Sequence, residues 1–502
     1  MTLSNFIRSK WLIVLALLII FSVGFAIRLY DLTDPPLDFH ETRQLGSAVI
    51  ARGMYYQMLD AAPEEQRDMA INLWHEAPVY EPQLLERLVA TTYLIVGAEH
   101  LWISRIFTSF FWLVGAVGIF ILASIMTSVG GGLVAAAIFA ILPYGIIASR
   151  SFQPDPVMVT AVIFAVLALY LWSEKPTWRR AVLAGLLCGL AVLLKAVAIF
   201  PVVGAFLGLI VSSRDLKKTL LNPQTWIIGL LAVAPAMIWN TLLITERASG
   251  LFGFWVLSFR DLIFDPSFYI RWVGEINYVV GFEVFVLSLI GILLMKQGRA
   301  KGLMFGTLFG YLIYGLALPY QIMTHDYYHL MLIAIVALGI SCVAALIINQ
   351  LRKGQRIWQY AALLICVAAV GSLLWSARVD LAREDYRSEV AGWKNLGEEL
   401  PSDGSIIALT HGYGFRLQYY GWKDIEVWPY RADMTVWELS GSDVYDFEEE
   451  FRTRTLGMDY FLITHFAELE SQPQLKEYLY QNFHIHQEGD GYILFDLRES
   501  TL

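Results

Sequence analysis

The sequence contains few charged residues and few cysteines, and each shortage excludes a class of protein. Only 16% of the 502 residues are charged and 57% are hydrophobic, whereas soluble domains contain about 25% charged residues. A net charge of -9 leaves no basic surface for nucleic acid, so we expect no nucleic-acid partner. Cys188, Cys342 and Cys366 lie in apolar stretches, which argues against disulfides and thiolate metal sites and predicts packing roles. The composition therefore predicts a protein of the lipid bilayer.

Charge is distributed unevenly along the chain. Residues 378–502 contain 11 Lys and Arg against 24 Asp and Glu, a net charge of -13, so the preceding residues sum to +4. This difference predicts two domains. The first, 1–376, is a transmembrane domain that includes an outer loop at 30–101, and the second, 377–502, is a soluble extracytoplasmic domain.

Long apolar runs dominate the first domain. A membrane-spanning helix needs about 20 apolar residues, and eleven segments qualify, although the fifth and sixth are short. We therefore predict a polytopic α-helical membrane protein with about eleven transmembrane helices. The predicted segments are 11–29, 102–126, 131–148, 156–172, 181–194, 197–211, 225–244, 277–295, 302–319, 329–349 and 358–376.

The loops between these segments predict an orientation. Four alternate loops, near 175–180, 214–218, 296–301 and 352–356, carry three Lys or Arg each, and basic loops face the cytoplasm. The intervening segments, including 30–101, and the acidic C-terminal domain then face outward. Within the outer loop, 84–90 has helical periodicity but belongs to an apolar run of only about 14 residues, so we expect an interfacial helix there. The prediction is a multi-pass protein of the cytoplasmic membrane.

The C-terminal domain alternates strand and helix patterns. Strand patterns occur at 405–410 and 460–464, and helical patterns at 413–420 and 474–481. Two further strand patterns, at 483–486 and 492–497, flank the sequence Glu-Gly-Asp-Gly, which is typical of a hairpin turn. A small α/β domain is predicted.

An acidic segment follows the first apolar run. Asp38, His40, Glu41 and Arg43 lie close together after two prolines. A carboxylate held near the membrane surface could act as a general base. The alternative interpretation is a solvated loop with a helix cap at Thr42.

Two further polar groups interrupt apolar sequence on the predicted outer side. Arg150 and Asp155 flank the start of the fourth segment, where Asp155 could either function or cap a helix. Lys195 stands alone in a long apolar stretch, and a lysine at the bilayer centre costs about 2.5–3.5 kcal/mol. Its charge is either balanced by an anionic lipid head group or extended to the interface from a helix end.

A cluster of aromatic and ionisable residues opens the tenth segment. It contains His325, Asp326, Tyr327, Tyr328 and His329. Tyrosines at this depth are typical of an aromatic belt, but the neighbouring histidines and aspartate favour a binding role. His325 and His329 could share a helix face and hold zinc, but the segment lacks a full ligand set, so we expect no metal.

Taken in order, these motifs resemble the membrane-embedded type C (GT-C) glycosyltransferases, in the branch of the protein O-mannosyltransferases and the lipid A aminoarabinose transferases. The resemblance covers about residues 1–350. It rests on the acidic motif after the first helix, on Arg150 to Asp155, on the stretch from Gly189 to Lys195, and on His325 to Tyr328. A segment at 81–84 and the spacing from 97 to 105 also fit. The family usually pairs Asp and Glu directly, whereas two residues separate Asp38 from Glu41 here.

The resemblance implies a reaction and its participants. The donor is a sugar on a polyprenyl phosphate, and the acceptor is a glycan, lipid or protein outside the cytoplasmic membrane. Transfer inverts the anomeric carbon and requires no cofactor; a divalent metal is not expected. The implied catalytic base is Asp38 or Glu41. The implied phosphate-binding residues are Lys195, His325, Tyr327 and Tyr328, and His40, Arg43, Arg150 and Asp155 would bind or orient substrate.

Two other functional classes fit the composition. A transporter or flippase of lipid-linked sugars would also need many spans, but the sequence shows no inverted repeat and gathers its polar residues on one side. An inactive scaffold whose acidic domain binds a partner is the third alternative.

Overall fold

The fold was analysed in a computed structural model, which describes residues 10–213, 215–243, 251–441 and 446–500. The chain divides into two compact units. As far as it is described, the first comprises the residues up to Thr33, Val79–Leu85 and Trp102–Glu384; the second comprises Asp34–Pro78, Glu86–Leu101 and the residues from Asp385 onward.

The first unit consists of helices. Its longer helices are α1 (Lys10–Arg28), α5 (Trp102–Met126), α6 (Val129–Ile141), α8 (Asp155–Glu174), α9 (Trp178–Leu194), α10 (Ile199–Val211), α12 (Pro223–Ile238), α14 (Pro266–Val280), α15 (Phe282–Leu294), α16 (Arg299–Ala317), α18 (Leu330–Lys353) and α19 (Arg356–Leu381). Its shorter helices are α7 (Pro143–Ala148), α11 (Leu216–Leu221), α13 (Leu251–Leu257) and α17 (Pro319–Thr324). Helices α2 to α4 lie between α1 and α5 in the chain.

Length and composition identify the helices that can cross a membrane. Within the described ranges, six helices are long and apolar enough, or seven if the bent pair α14 and α15 forms one span. Helices α6 and α10 are apolar but shorter. These findings confirm a polytopic helical membrane protein, whereas the number eleven stays a prediction.

Two predicted segments are broken rather than continuous. The segment 131–148 is interrupted at Leu142, before Pro143, because proline lacks the amide hydrogen that a continuing helix needs. The segment 277–295 is wrong as a straight span, since α14 and α15 meet at an angle of 90°. Gly281 lies between them with a φ of 81°, a conformation that glycine adopts without strain.

Small residues let some of these helices approach closely. On α10 and α16, a methyl group at Gly204 would lie 2.3 Å from the carbonyl oxygen of Gly306. One at Gly208 would lie 2.2 Å from the carbonyl oxygen of Gly302. Such contacts replace the hydrophobic effect as a source of helix association in lipid.

The predicted packing of the cysteines is correct for two of the three. Cys188 and Cys342 are buried, but Cys366 is exposed on α19. Cys366 is exposed because, within the described structure, no residue in the most apolar stretch of α19 is buried against the rest of the protein.

The second unit combines a five-stranded sheet with helices from both ends of the chain. Its helices are α2 (Glu41–Met58), α3 (Glu64–Glu76), α4 (Leu84–Val96, from Glu86 on), α20 (Arg387–Glu399), α21 (Phe415–Tyr420), α22 (Arg431–Ser440), α23 (Phe447–Thr455), α24 (Phe466–Glu470) and α25 (Pro473–Asn482). Its strands are β1 (Ile406–Leu409), β2 (Glu426–Val427), β3 (Tyr460–Ile463), β4 (Phe483–Gly489) and β5 (Tyr492–Ser500).

The sheet confirms the predicted C-terminal strands. Its order is β2-β1-β3-β5-β4, with β1 parallel to β2 and β3 and with β5 antiparallel to β3 and β4. Strands β1 and β3 are buried along their whole length, as expected for strands covered on both faces. The predicted hairpin joins β4 to β5, where Gly489 pairs with Tyr492.

The outer loop does not form a body of its own. Residues 34–78 and 86–101 pack in the same compact unit as the C-terminal sheet. Helix α4 has 13 residues, too few to span a bilayer. The domain boundary between residues 376 and 377 stays a prediction. The interfacial helices expected in the outer loop at 30–101 stay a prediction as well.

Candidate active site

A break between two helices of the first unit presents Lys195. Helix α9 ends at Leu194, and Lys195 has an extended backbone with a φ of -160°. A short 3-10 turn, Ala196–Ala198, then leads into α10. Because the helix stops at this residue, the ammonium group projects from an irregular backbone position within otherwise apolar sequence.

The ammonium group of Lys195 is held by a carboxylate from the start of α8. Its Nζ atom lies 2.8 Å from Oδ1 and 2.9 Å from Oδ2 of Asp155. Both side chains are buried, with 7% and 2% of their surfaces exposed. Glu81 provides a second carboxylate at 4.0 Å. A buried lysine is thus compensated by two acidic groups, as its low-dielectric surroundings require.

Two aromatic rings complete the surroundings of this lysine. Its Nζ atom lies 5.0 Å from the ring centre of Tyr327 and 4.9 Å from that of Tyr328, within the range of cation–π attraction. Both tyrosines belong to a 3-10 turn, Asp326–His329. Tyr314 stacks on Tyr328. The ring of His325 meets the rings of Tyr327 and Tyr328 edge-on. The structure therefore brings together four predicted site residues and Lys195 itself.

The neighbouring His329 has a structural role. Its Nδ1 atom pairs with the Tyr311 hydroxyl at 2.6 Å, and its Nε2 atom pairs with the carbonyl oxygen of Ile322 at 2.8 Å. With both ring nitrogens engaged, His329 has no lone pair for zinc. Within the described ranges, no three His, Cys, Asp or Glu side chains are grouped as a metal site.

Two residues of the segment around Asp155 differ from their simplest interpretation. Asp155 is the first residue of α8, where the N-cap position is taken by Pro154; the Asp155 carboxylate binds Lys195. Arg150 is buried, and its Nη2 atom donates to the carbonyl oxygen of Asp31 at 2.9 Å. Arg150 thus ties the segment just after α1 to the segment just after α7.

The acidic segment belongs to the second unit. Asp38 is exposed, and its Oδ1 atom accepts the backbone N–H of Phe39 at 2.9 Å. His40 precedes α2 with a φ of 47° and a ψ of 56°, a left-handed conformation that is uncommon for a residue with a side chain. The alternative of a cap at Thr42 is wrong, because α2 begins one residue earlier, at Glu41. Arg43 lies half-buried in the first turn.

Glu41 is engaged in an ionic network. Nε of Arg416 donates to Oε2 of Glu41, and Nη1 of the same guanidinium donates to Glu389 at 2.6 Å. Burial raises the pKa of the Glu41 carboxyl, while Arg416 opposes that shift and Glu389 adds to it. The two predicted carboxylates therefore have different surroundings, since Asp38 is exposed and Glu41 is bound to an arginine.

Sequence reasoning missed three members of these clusters. Glu81 lies in a segment that was noted for its resemblance but had no assigned role. Arg416 and Glu389 come from the C-terminal part of the chain, and no local pattern distinguishes them from other charged residues. Only the pairing of Arg416 with a residue 375 positions away reveals their connection with the acidic segment.

Comparison with known proteins supports one family. Residues 81–239 match the model of dolichyl-phosphate-mannose-protein mannosyltransferases. This stretch includes Glu81, Asp155 and Lys195. Among curated proteins, no sequence matches the chain.

Solved structures show the same fold at low sequence identity. ArnT from Cupriavidus metallidurans, in a crystal structure with bound undecaprenyl phosphate, is 12% identical with a TM-score of 0.57, covering 95% of this chain and 97% of that one. The archaeal oligosaccharyltransferase AglB from Archaeoglobus fulgidus, with an inhibitory peptide and a dolichol-phosphate, is 12% identical with a TM-score of 0.60, covering 97% and 74%. The family match over residues 81–239 and the shared fold confirm the resemblance seen in the sequence: the chain is similar to the GT-C glycosyltransferases, in the mannosyltransferase and aminoarabinose transferase branch.

Proposed function

We propose that this glycosyltransferase moves a sugar from a polyprenyl phosphate to a hydroxyl group of a glycan, lipid or protein on the extracytoplasmic face of the cell membrane. The match to dolichyl-phosphate-mannose enzymes supports a lipid-linked donor. The undecaprenyl phosphate and the dolichol-phosphate in the two similar structures support it further. The proposed extracytoplasmic face rests on the basic loops. Basic loops face the cytoplasm, so the helix ends on the other side of the membrane face outward.

The observation that carries the proposal is the buried ammonium group of Lys195. Lysine has three N–H donors, so it can keep its bond to Asp155 and also donate to a phosphate oxygen. Asp155 fixes the direction of the ammonium, and the two tyrosine rings stabilise its charge. A preorganised cation in a site with little water stabilises negative charge far better than the same cation in water.

The reaction then follows as an inverting displacement. The acceptor oxygen attacks the anomeric carbon from the face opposite the phosphate, and the bond between that carbon and the phosphate oxygen breaks with its electron pair. Lys195 stabilises the charge that grows on the departing lipid phosphate, and His325 is placed beside the tyrosines to donate a further hydrogen bond. The proton of the acceptor hydroxyl passes to a carboxylate.

Asp38 is the better candidate for this carboxylate. An efficient base must be able to reach the acceptor hydroxyl within hydrogen-bond distance, and the Asp38 side chain is exposed. The Glu41 carboxylate instead accepts a hydrogen bond from the Arg416 guanidinium. We assign the base to Asp38, and we assign Glu41, His40 and Arg43 to the support of the acidic segment.

The phosphate role is tested with Lys195→Met in proteoliposomes. The donor is the lipid that copurifies with the wild-type protein, identified by mass spectrometry, and retention of undecaprenyl phosphate is measured in parallel by native mass spectrometry. We expect lost transfer and lost retention. The control is Lys301→Met, which removes a lysine of α16 whose ammonium donates to the carbonyl oxygen of Leu293. Full turnover by Lys195→Met contradicts the proposal, as does lipid movement across the vesicle without transfer.

The base is tested by comparing Asp38→Asn with Glu41→Gln. Loss of a general base costs about 10²- to 10⁴-fold in rate, and it also removes the rise of kcat with pH that reports the base. We therefore expect Asp38→Asn to lose both the rate and this rise. Glu41→Gln is expected to be slower but to keep the rise. The opposite pattern assigns the base to Glu41.

A further inference from the structure

Residues from the C-terminal part of the chain hold the acidic segment at both ends. At its start, the buried carboxylate of Asp34 accepts the backbone N–H of Tyr386 at 3.0 Å and Nη1 of Arg387 at 3.4 Å. At its end, Glu41 binds Arg416. The partners are more than 350 residues apart in sequence, so this arrangement exists only in the folded second unit.

Between the two anchors the backbone adopts an unusual conformation. His40 is left-handed, with a φ of 47°. A residue with a side chain is strained in this region and persists there only when its surroundings determine it. Gln44 contributes by donating from Nε2 to the carbonyl oxygen of Phe39 at 2.6 Å. The direction of the Asp38 side chain therefore depends on how firmly Glu41, the residue after His40, is held.

We propose that Arg416 is a positioning residue for Asp38. By binding Glu41 it keeps His40 left-handed, and the left-handed turn fixes the backbone from which the Asp38 carboxylate projects. Arg416 itself touches neither the acceptor nor the donor. This inference rests on the proposed function, because it assumes that Asp38 acts on the substrate.

The surroundings of Arg416 suit this role. Its side chain is only 12% exposed, and its planar guanidinium directs Nε toward Glu41 and Nη1 toward Glu389. A lysine has one charged nitrogen and cannot bridge two carboxylates with the same fixed geometry. Gly412 lies beside this contact with a φ of 62°, and a methyl group there would lie 3.3 Å from the Glu41 carboxylate and crowd it.

A double-mutant cycle tests the proposal in the full-length protein. Arg416→Met, Glu41→Gln and the combination of both are compared in the transfer assay with the copurifying lipid as donor. A misplacement of about 1 Å can cost about 100-fold in rate, so we expect each single variant to lower kcat by up to about 100-fold with an unchanged KM for the donor. Because both residues act through one contact, the double variant should be no slower than the slower single variant. All three should keep the rise of kcat with pH that Asp38→Asn loses.

Two further variants make the result decisive. Arg416→Lys keeps the charge and should restore part of the lost kcat, which a purely structural loss of the arginine side chain would not predict. Arg454→Met breaks another ion pair of the same unit, with Glu450, and should leave kcat unchanged. If Arg416→Met does not fold, Arg416→Lys combined with Glu41→Gln completes the cycle.

Specific outcomes overturn the inference. Arg416→Met with wild-type kcat contradicts it, and so do single losses that multiply in the double variant. A failure of the proposed function looks different, because Lys195→Met and Asp38→Asn would then both transfer sugar normally whatever Arg416 does.

Discussion

Two pairs of a cation and a carboxylate stand out, one in each compact unit, and they are built in opposite ways. In the first unit, Lys195 and Asp155 are only 40 residues apart and both are buried. In the second unit, Arg416 and Glu41 are 375 residues apart, and 21% of the Glu41 side chain is exposed. In the first pair the third charged residue, Glu81, lies 4.0 Å from the ammonium, whereas in the second pair the same guanidinium also binds Glu389 at 2.6 Å.

The difference agrees with the roles proposed for the two pairs. In the first pair the carboxylate orients the cation, because a buried ammonium group without a partner is costly and would not keep its charge. In the second pair the cation orients the carboxylate, and the group proposed to act, Asp38, lies three residues before it. The proposal therefore gives two charge pairs of similar length different functions, on the basis of the surroundings of each partner.

The largest expected effect comes from breaking the buried pair with Asp155→Asn. The change leaves Lys195 buried with only a distant carboxylate, and such a loss costs about 3–5 kcal/mol. We expect transfer to be abolished and the midpoint of thermal unfolding to fall. The assays are sugar transfer in proteoliposomes and tryptophan fluorescence during heating.

Glu174→Gln is the matched control for this change. Glu174 ends the same helix, α8, and pairs with Arg299 where both side chains are more than 40% exposed. An exposed pair contributes about 0–1 kcal/mol, so this variant should keep its activity and its unfolding midpoint. Equal effects of the two substitutions would show that burial does not distinguish the pairs.

The first pair was predictable from the sequence, and the second was not. A single lysine in a long apolar stretch is costly, and this cost alone marks Lys195. Asp155 was a candidate because it interrupts apolar sequence on the predicted outer side, and the resemblance implied that Tyr327 and Tyr328 bind phosphate. Arg416 lies among the many charged residues of the acidic domain, where no such contrast exists.

The fold shows the same limit. Hydrophobic run length predicted the helices of the first unit, and alternation predicted β1, β3 and the hairpin of β4 and β5. The bend at Gly281 was missed, since an isolated glycine within an apolar run is compatible with a continuous helix. The packing of residues 34–78 with the C-terminal sheet was also missed, because it depends on contacts between the two ends of the chain.

An intermediate effect is expected at the aromatic side of the first pair. Tyr328→Leu removes a ring whose centre lies 4.9 Å from the ammonium of Lys195, and cation–π contacts contribute about 0.5–2 kcal/mol. We expect kcat to fall by about 2- to 30-fold, by conversion of that energy range. Tyr328→Phe keeps the ring and should keep most of the rate. If Tyr328→Phe is as slow as Tyr328→Leu, the hydroxyl group rather than the ring is the part that matters.

The smallest expected effect concerns pH and lies beside the second pair. The ring of His411 stacks on that of His465 with centres 4.2 Å apart. Burial, together with the charges of the neighbouring His465 and Arg416, lowers the pKa of His411 to about 4. In the unfolded chain the pKa of histidine is about 6.5. Between these two values the unfolded state binds more protons than the folded state, so stability falls as the pH falls from 6.5 to 4.

His411→Gln isolates this contribution, because Glu41, whose raised pKa acts with the opposite sign, is present in both proteins. The wild-type unfolding midpoint should drop relative to that of the variant as the pH is lowered from 6.5 to 4, and the difference should level off below pH 4, where the folded state also binds the proton. Thermal unfolding across this pH series measures it, with His484→Gln, an exposed histidine of β4, as the control. A constant difference across the series would show that the stacked pair does not exclude a proton.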